Sequence, residues 1–313
     1  MNYFSIIVPL FNIKKDIEKI FSQHLKILSD FNNLDIVKAE IIYVDNQSSD
    51  GTYKVLKNKI RLNESFRLFK TKSSENNSPG LARNIGLKKA KGKYLLFLDA
   101  DDQLILNNIK KIINLILQNT YTRIFLKKEI YIERKKRYLG IKNIRFFLRK
   151  TNDTEAIGII FQKKKLLQNK IYFKRGFFED SLFFLRHNLE INNKDCSTNS
   201  IVYLKKKNQD SITVSKNNLL AKVICKVKSW HQVDLYLKKS SPKFIDYNKI
   251  LPDIQYRIRG EFYNELLNVR KSNLSSMDKS IIIKNLNKLI KKYVIKNFIV
   301  RTKKDLFIRN HKL

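Results

Sequence analysis

The sequence predicts an α/β protein: an open, mostly parallel, doubly wound sheet with helices on both faces, followed by a helical extension. Three observations carry this expectation. The apolar runs of the first hundred residues are continuous rather than alternating, as in strands buried on both faces. Segments with helical period separate them. Four of only eight glycines, Gly51, Gly80, Gly86 and Gly92, fall in or beside the turns and helix ends between them.

Taken in order, Phe4 to Val8, Ile41 to Val44, Phe66 to Phe69 and Tyr94 to Leu98 read as parallel strands. Lys14 to Ser29, Thr52 to Lys59, Leu81 to Lys89 and Leu104 to Leu117 read as helices. From Tyr121 to about Ser215 the strands shorten to Arg123–Phe125, Gly158–Phe161 and Ser200–Tyr203, with one clear helix starting at Glu179. Beyond Ser215 only Gly260 interrupts a mainly helical stretch rich in Lys, Ile and Asn. The expected division is a catalytic domain over 1–215, with halves at 1–105 and 106–215, and a basic helical region over 216–313.

With 313 residues, 43% hydrophobic, the chain can bury a full core without disulfides or structural metal. Cys196 and Cys225 have neither disulfide-framework nor CxxC spacing, which fits a reducing compartment. No window approaches about 18 uncharged apolar residues, so no spanning helix is expected. The residues before Pro9 lack the basic region and cleavage site of a signal peptide, so a cytoplasmic protein is expected. Neither G-x-G-x-x-G nor G-x-x-x-x-G-K-[ST] occurs, which argues against dinucleotide and P-loop sites. His24, His187, His231 and His311 are far apart and read as surface or packing residues.

In open α/β sheets ligands bind beyond the carboxyl ends of the strands. Three segments sit there: Pro9 to Asn12, Asp45 to Gly51, and Asp99 to Asp102. Asp99, Asp101 and Asp102 place three carboxylates in four residues, in a chain with only 28 acids. Two such charges about 5 Å apart repel by about 3 kcal/mol at an effective dielectric near 20, so a hard divalent cation is the expected partner. N-capping of the following helix by Asp102 would explain one Asp but not three. Asp45 closes a buried strand without starting a helix, which suits a contact to a nucleoside, whereas Ser49 or Asp50 reads as the cap of the helix near Thr52. Ser78 to Gly86 opens a helix with small residues and Arg83 in its first turns, read either as a phosphate donor or as an ordinary surface Arg.

Together, in this order and spacing, these segments resemble the family 2 glycosyltransferases with the GT-A fold. Phe4 to Asn12 is similar to the family's opening strand, Ile42 to Thr52 to its nucleotide loop, Gly80 to Gly86 to its A-R-N-x-G helix, and Leu98 to Asp102 to its D-x-D signature. The resemblance covers roughly residues 3 to 215. It implies that Pro9, Asn12, Asp45, Arg83 and Asp99 contact a nucleoside diphosphate sugar, Asp45 at the base and Asp99 at the ribose and metal shell. Asp101, with Asp99, would hold Mg²⁺ or Mn²⁺. Asn46 stands where many members have a second Asp. Gly176 to Phe183 resembles the E-D segment, which makes Asp180 the implied general base of an inverting transfer; capping by Glu179-Asp180 is the structural alternative. Tyr203 to Thr213 resembles the family's final element, with Lys205 and Lys206 where Arg is usual.

The resemblance implies sugar transfer, with a UDP-linked donor, to a carbohydrate acceptor of a bacterial surface glycan, including a lipid-linked one. The formal charge of +36 fits a polyanionic partner. Part of it is a basic amphipathic stretch from Lys279 to Lys304, read either as a peripheral anchor on the inner face of the cytoplasmic membrane or as a helix packed on its apolar stripe. A nucleic-acid-binding protein is the rival the charge allows, but the acidic cluster at the pocket end of the sheet and the absence of a nucleic-acid motif leave no nucleic acid expected. Intact Asp99, Asp101 and Asp180 speak against an inactive scaffold.

Overall fold

A computed structural model describes residues 2–33, 37–72, 78–105, 108–118, 120–130, 155–174, 176, 178–191, 194–205, 219–240, 246–272 and 274–293. The chain forms two compact units, Met1–Leu139 with Glu155–Asn208, and Gly140–Thr154 with Gln209–Leu313.

The first unit runs β1 (Asn2–Leu10), a 3-10 turn (Lys14–Asp16), α1 (Ile17–Asn32), β2 (Val37–Asp45), α2 (Thr52–Lys59), β3 (Phe66–Lys70), α3 (Pro79–Lys89), β4 (Tyr94–Phe97), β5 (Gln103–Leu104) and α4 (Ile109–Gln118). It continues through β6 (Arg123–Ile130), β7 (Ile159–Gln162), α5 (Lys163–Gln168), α6 (Asp180–Glu190) and β8 (Asp195–Lys205). The strands form one sheet in the order β3-β2-β1-β4-β7-β6-β8-β5. The β3, β2, β1 and β4 neighbours pair in parallel, as do β6 and β8, while β7 is antiparallel to both β4 and β6 and β5 is antiparallel to β8.

Alternation along β1 and β2 sends side chains to two helical layers. Phe4 stacks on Phe31 of α1 at 5.2 Å between ring centroids, and Tyr43 hydrogen-bonds His24 of the same helix at 2.8 Å. On the opposite face Ile42 and Val44 pack with Ala82 and Ala90 beside α3. Both faces being covered explains why Ile6, Ile7, Val8, Ile41 and Ile42 are all fully buried and why the runs are continuous. Burial, its first cause, lowers the His24 pKa to about 4, so this histidine is a neutral packing residue.

Helix α3 lies close against the sheet at Gly86, where an added Cβ would come within 2.3 Å of Ile7 Cγ2 and 3.2 Å of its Cβ. Gly86→Ala is expected to destabilise the protein by about 1–3 kcal/mol through overpacking, read from the midpoint of urea unfolding at unchanged slope. An unshifted midpoint would show that α3 can move away from β1 without cost.

One predicted helix needs correction. Leu104 does not open a helix; Gln103 and Leu104 pair with Leu204 and Tyr203 of β8, and α4 begins only at Ile109. α5 was not anticipated.

The second unit contains α7 (Leu219–Ser240), α8 (Tyr247–Lys271) and α9 (Ser276–Tyr293), as the helical reading of this region expects. Asp246 caps α8 by accepting from the Asn248 backbone at 3.1 Å, and Arg257 lies 4.6 Å from the Trp230 ring centroid. On α9 Ile282 is buried, whereas Met277, Ile281, Lys284 and Lys288 are exposed. The remainder of the predicted basic stretch, 294–304, lies outside the described residues, as do Lys206, Ser211–Thr213 and His311. Among the described residues no helix is long and apolar enough to cross a membrane.

Candidate active site

The strand order reverses at β1, with β2 on one side and β4 on the other, so a crevice opens beyond their carboxyl ends. Pro9 fits there because β4 pairs only with Phe4 to Ile7 of β1, and a residue lacking an N–H meets no ladder partner on that side. Asn12 adopts a left-handed backbone, φ 51°, and ties the loops together. Its N–H donates to Ser48 Oγ at 2.9 Å, and its Oδ1 accepts from the Ser49 N–H at 2.9 Å.

Asp45 ends β2 fully buried. Its Oδ2 accepts from the Ser48 N–H at 3.2 Å, while its Oδ1 is buried without a hydrogen-bond partner. A buried carboxylate oxygen left unpaired is costly. Asn46, also buried, accepts from Thr71 Oγ1 at 3.2 Å. Contrary to the expectation from the sequence, neither Ser49 nor Asp50 is the N-cap of α2; that position is Gly51, φ 88°, and Asp50, one residue earlier, accepts from the Thr52 N–H through Oδ1 at 2.9 Å.

The second acidic segment is a turn, closed by the Asp102 N–H donating to Asp99 O at 3.0 Å. Asp99 and Asp101 are half-buried. Asp102 caps no helix, because β5 follows it; instead its buried Oδ2 accepts from the Tyr203 hydroxyl at 2.5 Å. Burial first, then the charge of Asp102, pushes the Tyr203 pKa well up, so the hydroxyl keeps the proton it donates. Tyr203→Phe is expected to cost about 1–3 kcal/mol by leaving Asp102 short of a donor, measurable by chemical denaturation. Unchanged stability would mean that water replaces the hydroxyl. Next along β8, Lys205 pairs with Glu155; burial opposes its charge, but Glu155 and, beyond it, Asp99 and Asp102 hold it protonated.

The remaining carboxylates arrive from the other half of the unit, fastened to α3. Asn84 exchanges two hydrogen bonds with Phe173, donating to its carbonyl at 2.8 Å and accepting from its N–H at 2.9 Å. Ser78 Oγ donates to Gly176 O at 2.7 Å, and a Cβ on Gly80 would come within 2.7 Å of Glu179 Cγ. Beneath this segment Phe173 stacks on Phe183 at 4.0 Å, with Phe97 edge-on to both.

Arg83 is not a surface residue. It is 4% exposed, donates from Nη1 to Glu179 Oε1 at 2.7 Å and from Nη2 to Asp99 Oδ1 at 2.9 Å, and holds Nη1 3.6 Å from Asp180 Oδ1. Burial works against its charge, but Asp180, Asp99 and Glu179 more than offset it, so the guanidinium stays protonated. With both terminal nitrogens engaged by carboxylates, Arg83 joins the two sides of the site. Glu179 stands at the N-cap of α6 but makes no side-chain cap bond; its carboxylate goes to Arg83. Burial, reinforced by the charge of Asp180 and opposed by Arg83, pushes Glu179 upward.

Asp180 opens α6. Its Oδ1 is buried without a hydrogen-bond donor, and the carboxylate accepts from the Ala156 backbone. Burial is the first cause raising its pKa, with Arg83 pulling the other way and Glu155 and Asp99 adding to the rise. At the N-terminus of α6 the helix dipole favours the ionised form, but burial outweighs it. A half-buried carboxylate of raised basicity, beside a crevice lined by further acids, is equipped to accept a proton.

Sequence reasoning named Pro9, Asn12, Asp45, Arg83, Asp99, Asp101 and Asp180, and the fold gathers Arg83, Asp99 and Asp180 into direct contact. It missed the structural work of Asn84, Tyr203 and Glu179. The A-R-N triplet carried a signal for Asn84, since a polar side chain in a helix turn buried between Ala82 and Gly86 needs a backbone partner.

A family profile described as Glycosyl transferase family 2 matches residues 5–188. The chain belongs to glycosyl transferase family 2. An uncharacterised glycosyltransferase of Haemophilus influenzae is 35% identical over 119 residues, 38% of this chain and 44% of that protein. Poly(ribitol-phosphate) β-N-acetylglucosaminyltransferase TarS of Staphylococcus aureus is 34% identical over 115 residues, 35% of this chain and 18% of that protein. The matches thus span less than half the length of these relatives. A crystal structure of S. aureus TarS 1-349 superposes with TM-score 0.65 at 18% identity, covering 94% of this chain and 81% of that one; another contains UDP-GlcNAc, at TM-score 0.58. A mannosyltransferase of Pyrobaculum calidifontis in complex with GDP-Man and Mn²⁺ superposes at 0.52, with 16% identity, covering 92% and 80% of the two chains. The fold is GT-A, and the family 2 enzymes with this architecture are glycosyltransferases.

Proposed function

We propose that this family member is an inverting, divalent-cation-dependent glycosyltransferase moving a sugar from UDP to a hydroxyl of a carbohydrate acceptor in a bacterial surface glycan. The observation that carries this reading is the bridge at Arg83, which holds Asp99 of the D-x-D turn and Asp180 of the E-D segment on one guanidinium. A donor-side acid and a basic carboxylate thereby face one crevice.

Asp99 and Asp101 would hold Mg²⁺ or Mn²⁺, both being hard oxygen donors at the crevice. Such a cation needs only one or two carboxylates from the protein when a diphosphate completes its shell. Bound there, a cation supplies neutralisation of the charge on the departing diphosphate. The unpaired Asp45 Oδ1 suits an N–H of the nucleobase, with Pro9 and Asn12 shaping the adjoining loop. UDP is the nucleotide named with TarS, and its site lies in the same fold. Lys205 adds positive charge beside Asp99 and Asp102. Asp180 takes the proton of the acceptor hydroxyl as the sugar carbon exchanges its bond to diphosphate for one to the acceptor oxygen.

Carried on a membrane lipid, the acceptor would place the enzyme at an anionic surface, and the exposed Met277, Ile281, Lys284 and Lys288 of α9 suit peripheral contact there. Product stereochemistry tests the reaction class: an α-linked UDP-sugar should yield a β-linked product, read from the anomeric coupling in the proton NMR spectrum. An α-linked product would refute a single displacement assisted by Asp180.

A further inference from the structure

Resting on the reading of Asp180 as the base, we infer that Glu179 is a positioning residue for sugar transfer: it anchors Arg83 so that one guanidinium spans Asp99 and Asp180. Three features of the chain lead to this. Glu179 is 5% exposed and contributes no helix cap, so its carboxylate is held inside the protein for its 2.7 Å bond to Arg83 Nη1. A carboxylate is buried at such a place only with a charged partner.

Next, the backbone is set to aim it there. Phe178, the preceding residue, has φ 60°, a left-handed conformation that a bulky L-residue adopts at a cost of about 1–2 kcal/mol. The strain is sustained by fastenings on either side: Ser78 to Gly176, Asn84 to Phe173, and the close approach of Gly80 to Glu179 Cγ. Glu179 therefore turns inward to α3 while Asp180, one residue on, opens α6 at the crevice.

Finally, Arg83 has two terminal nitrogens and three carboxylates. Nη2 goes to Asp99 at 2.9 Å and Nη1 to Glu179 at 2.7 Å, leaving Asp180 at 3.6 Å from Nη1, close enough for charge but beyond a good hydrogen bond. Glu179 thus holds Nη1 off Asp180, so that the guanidinium lies beside that carboxylate without hydrogen-bonding it. Without the Glu179 carboxyl as its acceptor, Nη1 would be drawn onto Asp180 and tie down the carboxylate that takes the acceptor's proton. The position of Arg83 is shared between the donor and acceptor sides, and Glu179 is what sets it.

The test is a double-mutant cycle of Glu179→Gln, an isosteric change, and Arg83→Lys, with kcat for transfer and Kd for UDP in the presence of Mn²⁺ measured on each folded protein. Glu179→Gln is expected to lower kcat by about 10–100-fold while Kd stays within about twofold, and the double variant to be no slower than Arg83→Lys alone. A kcat for Glu179→Gln equal to wild type, losses that multiply in the double variant, or a Kd that weakens in step with kcat would overturn the inference. Asp180→Asn measured alongside separates the two levels: wild-type kcat there refutes the base, whereas loss in Asp180→Asn with none in Glu179→Gln refutes only the positioning role. Should Arg83→Lys fail to fold, Glu179→Asp serves in its place, with a loss smaller than that of Glu179→Gln expected and an equal or larger loss counting against the inference.

Discussion

Asp180→Asn is expected to lower the rate of sugar transfer by about 10²–10⁴-fold while leaving the affinity for UDP-sugar within about twofold. Removing a proton acceptor leaves donor contacts untouched, because Asp45 ends β2 and Asp99 and Asp101 lie in the turn between β4 and β5, apart from α6. The amide is isosteric and keeps the 3.6 Å approach to Arg83, so the loss isolates basicity from shape. Burial raises the Asp180 pKa, and a base works only when ionised. The wild-type kcat/KM should accordingly fall as the pH is lowered, with its acid limb centred above the ordinary carboxylate range. The residual activity of Asp180→Asn should lack that limb. A variant that retained both the rate and the limb would assign the proton transfer to another group.

Asp101→Ala is expected to abolish cation-dependent donor binding and turnover together. A ligand present at about 100 times its Kd stabilises the folded state by about 2.7 kcal/mol, so UDP with Mn²⁺ should raise the melting temperature of the wild type by several degrees. The same mixture should leave Asp101→Ala where wild type lies in UDP with EDTA. Equal stabilisation of the variant by UDP with and without Mn²⁺, at the wild-type level, would remove Asp101 from the cation site. Because Asp101 lies half-buried in a turn rather than in the core, the comparison is not confounded by unfolding.

How far these sites were legible depends on the range of the forces that form them. Strands β1, β2 and β4 were readable because burial on both faces leaves an uninterrupted apolar run, and Asp45 and Asp99 because they are the first polar residues after such runs. The opening of α3 was readable from Ser78, Pro79 and Gly80, small and capping types in succession. The two residues of β5 carry no period of their own; they are a strand only because β8, about a hundred positions later, supplies their partners, and so Leu104 was read as the start of a helix. Glu179 was legible as an acid before a helix but not as the partner of Arg83, 96 residues away. What turns it inward is the positive φ at Phe178, a conformation no phenylalanine advertises. Arg83 itself was read either as a donor to phosphate, the obvious anion for a guanidinium at a helix start, or as a surface residue. The fold gives it carboxylates first, since three of them converge on it before any ligand arrives.

The charge of the chain is informative in the same graded way. A formal +36 permits many polyanionic partners, whereas the proposed chemistry rests on a few acids at one end of the sheet. Among the lysines, Lys205 is distinguished by its place beside Glu155, Asp99 and Asp102.

The most direct test of the central claim is release of UDP by the wild-type protein from a panel of UDP-sugars, measured with Mn²⁺ and again with EDTA, in the presence of a carbohydrate acceptor. Release from at least one donor with Mn²⁺, and its loss in EDTA, is the predicted result. Release that is undiminished by EDTA, or no release from any nucleotide sugar under either condition, would contradict it.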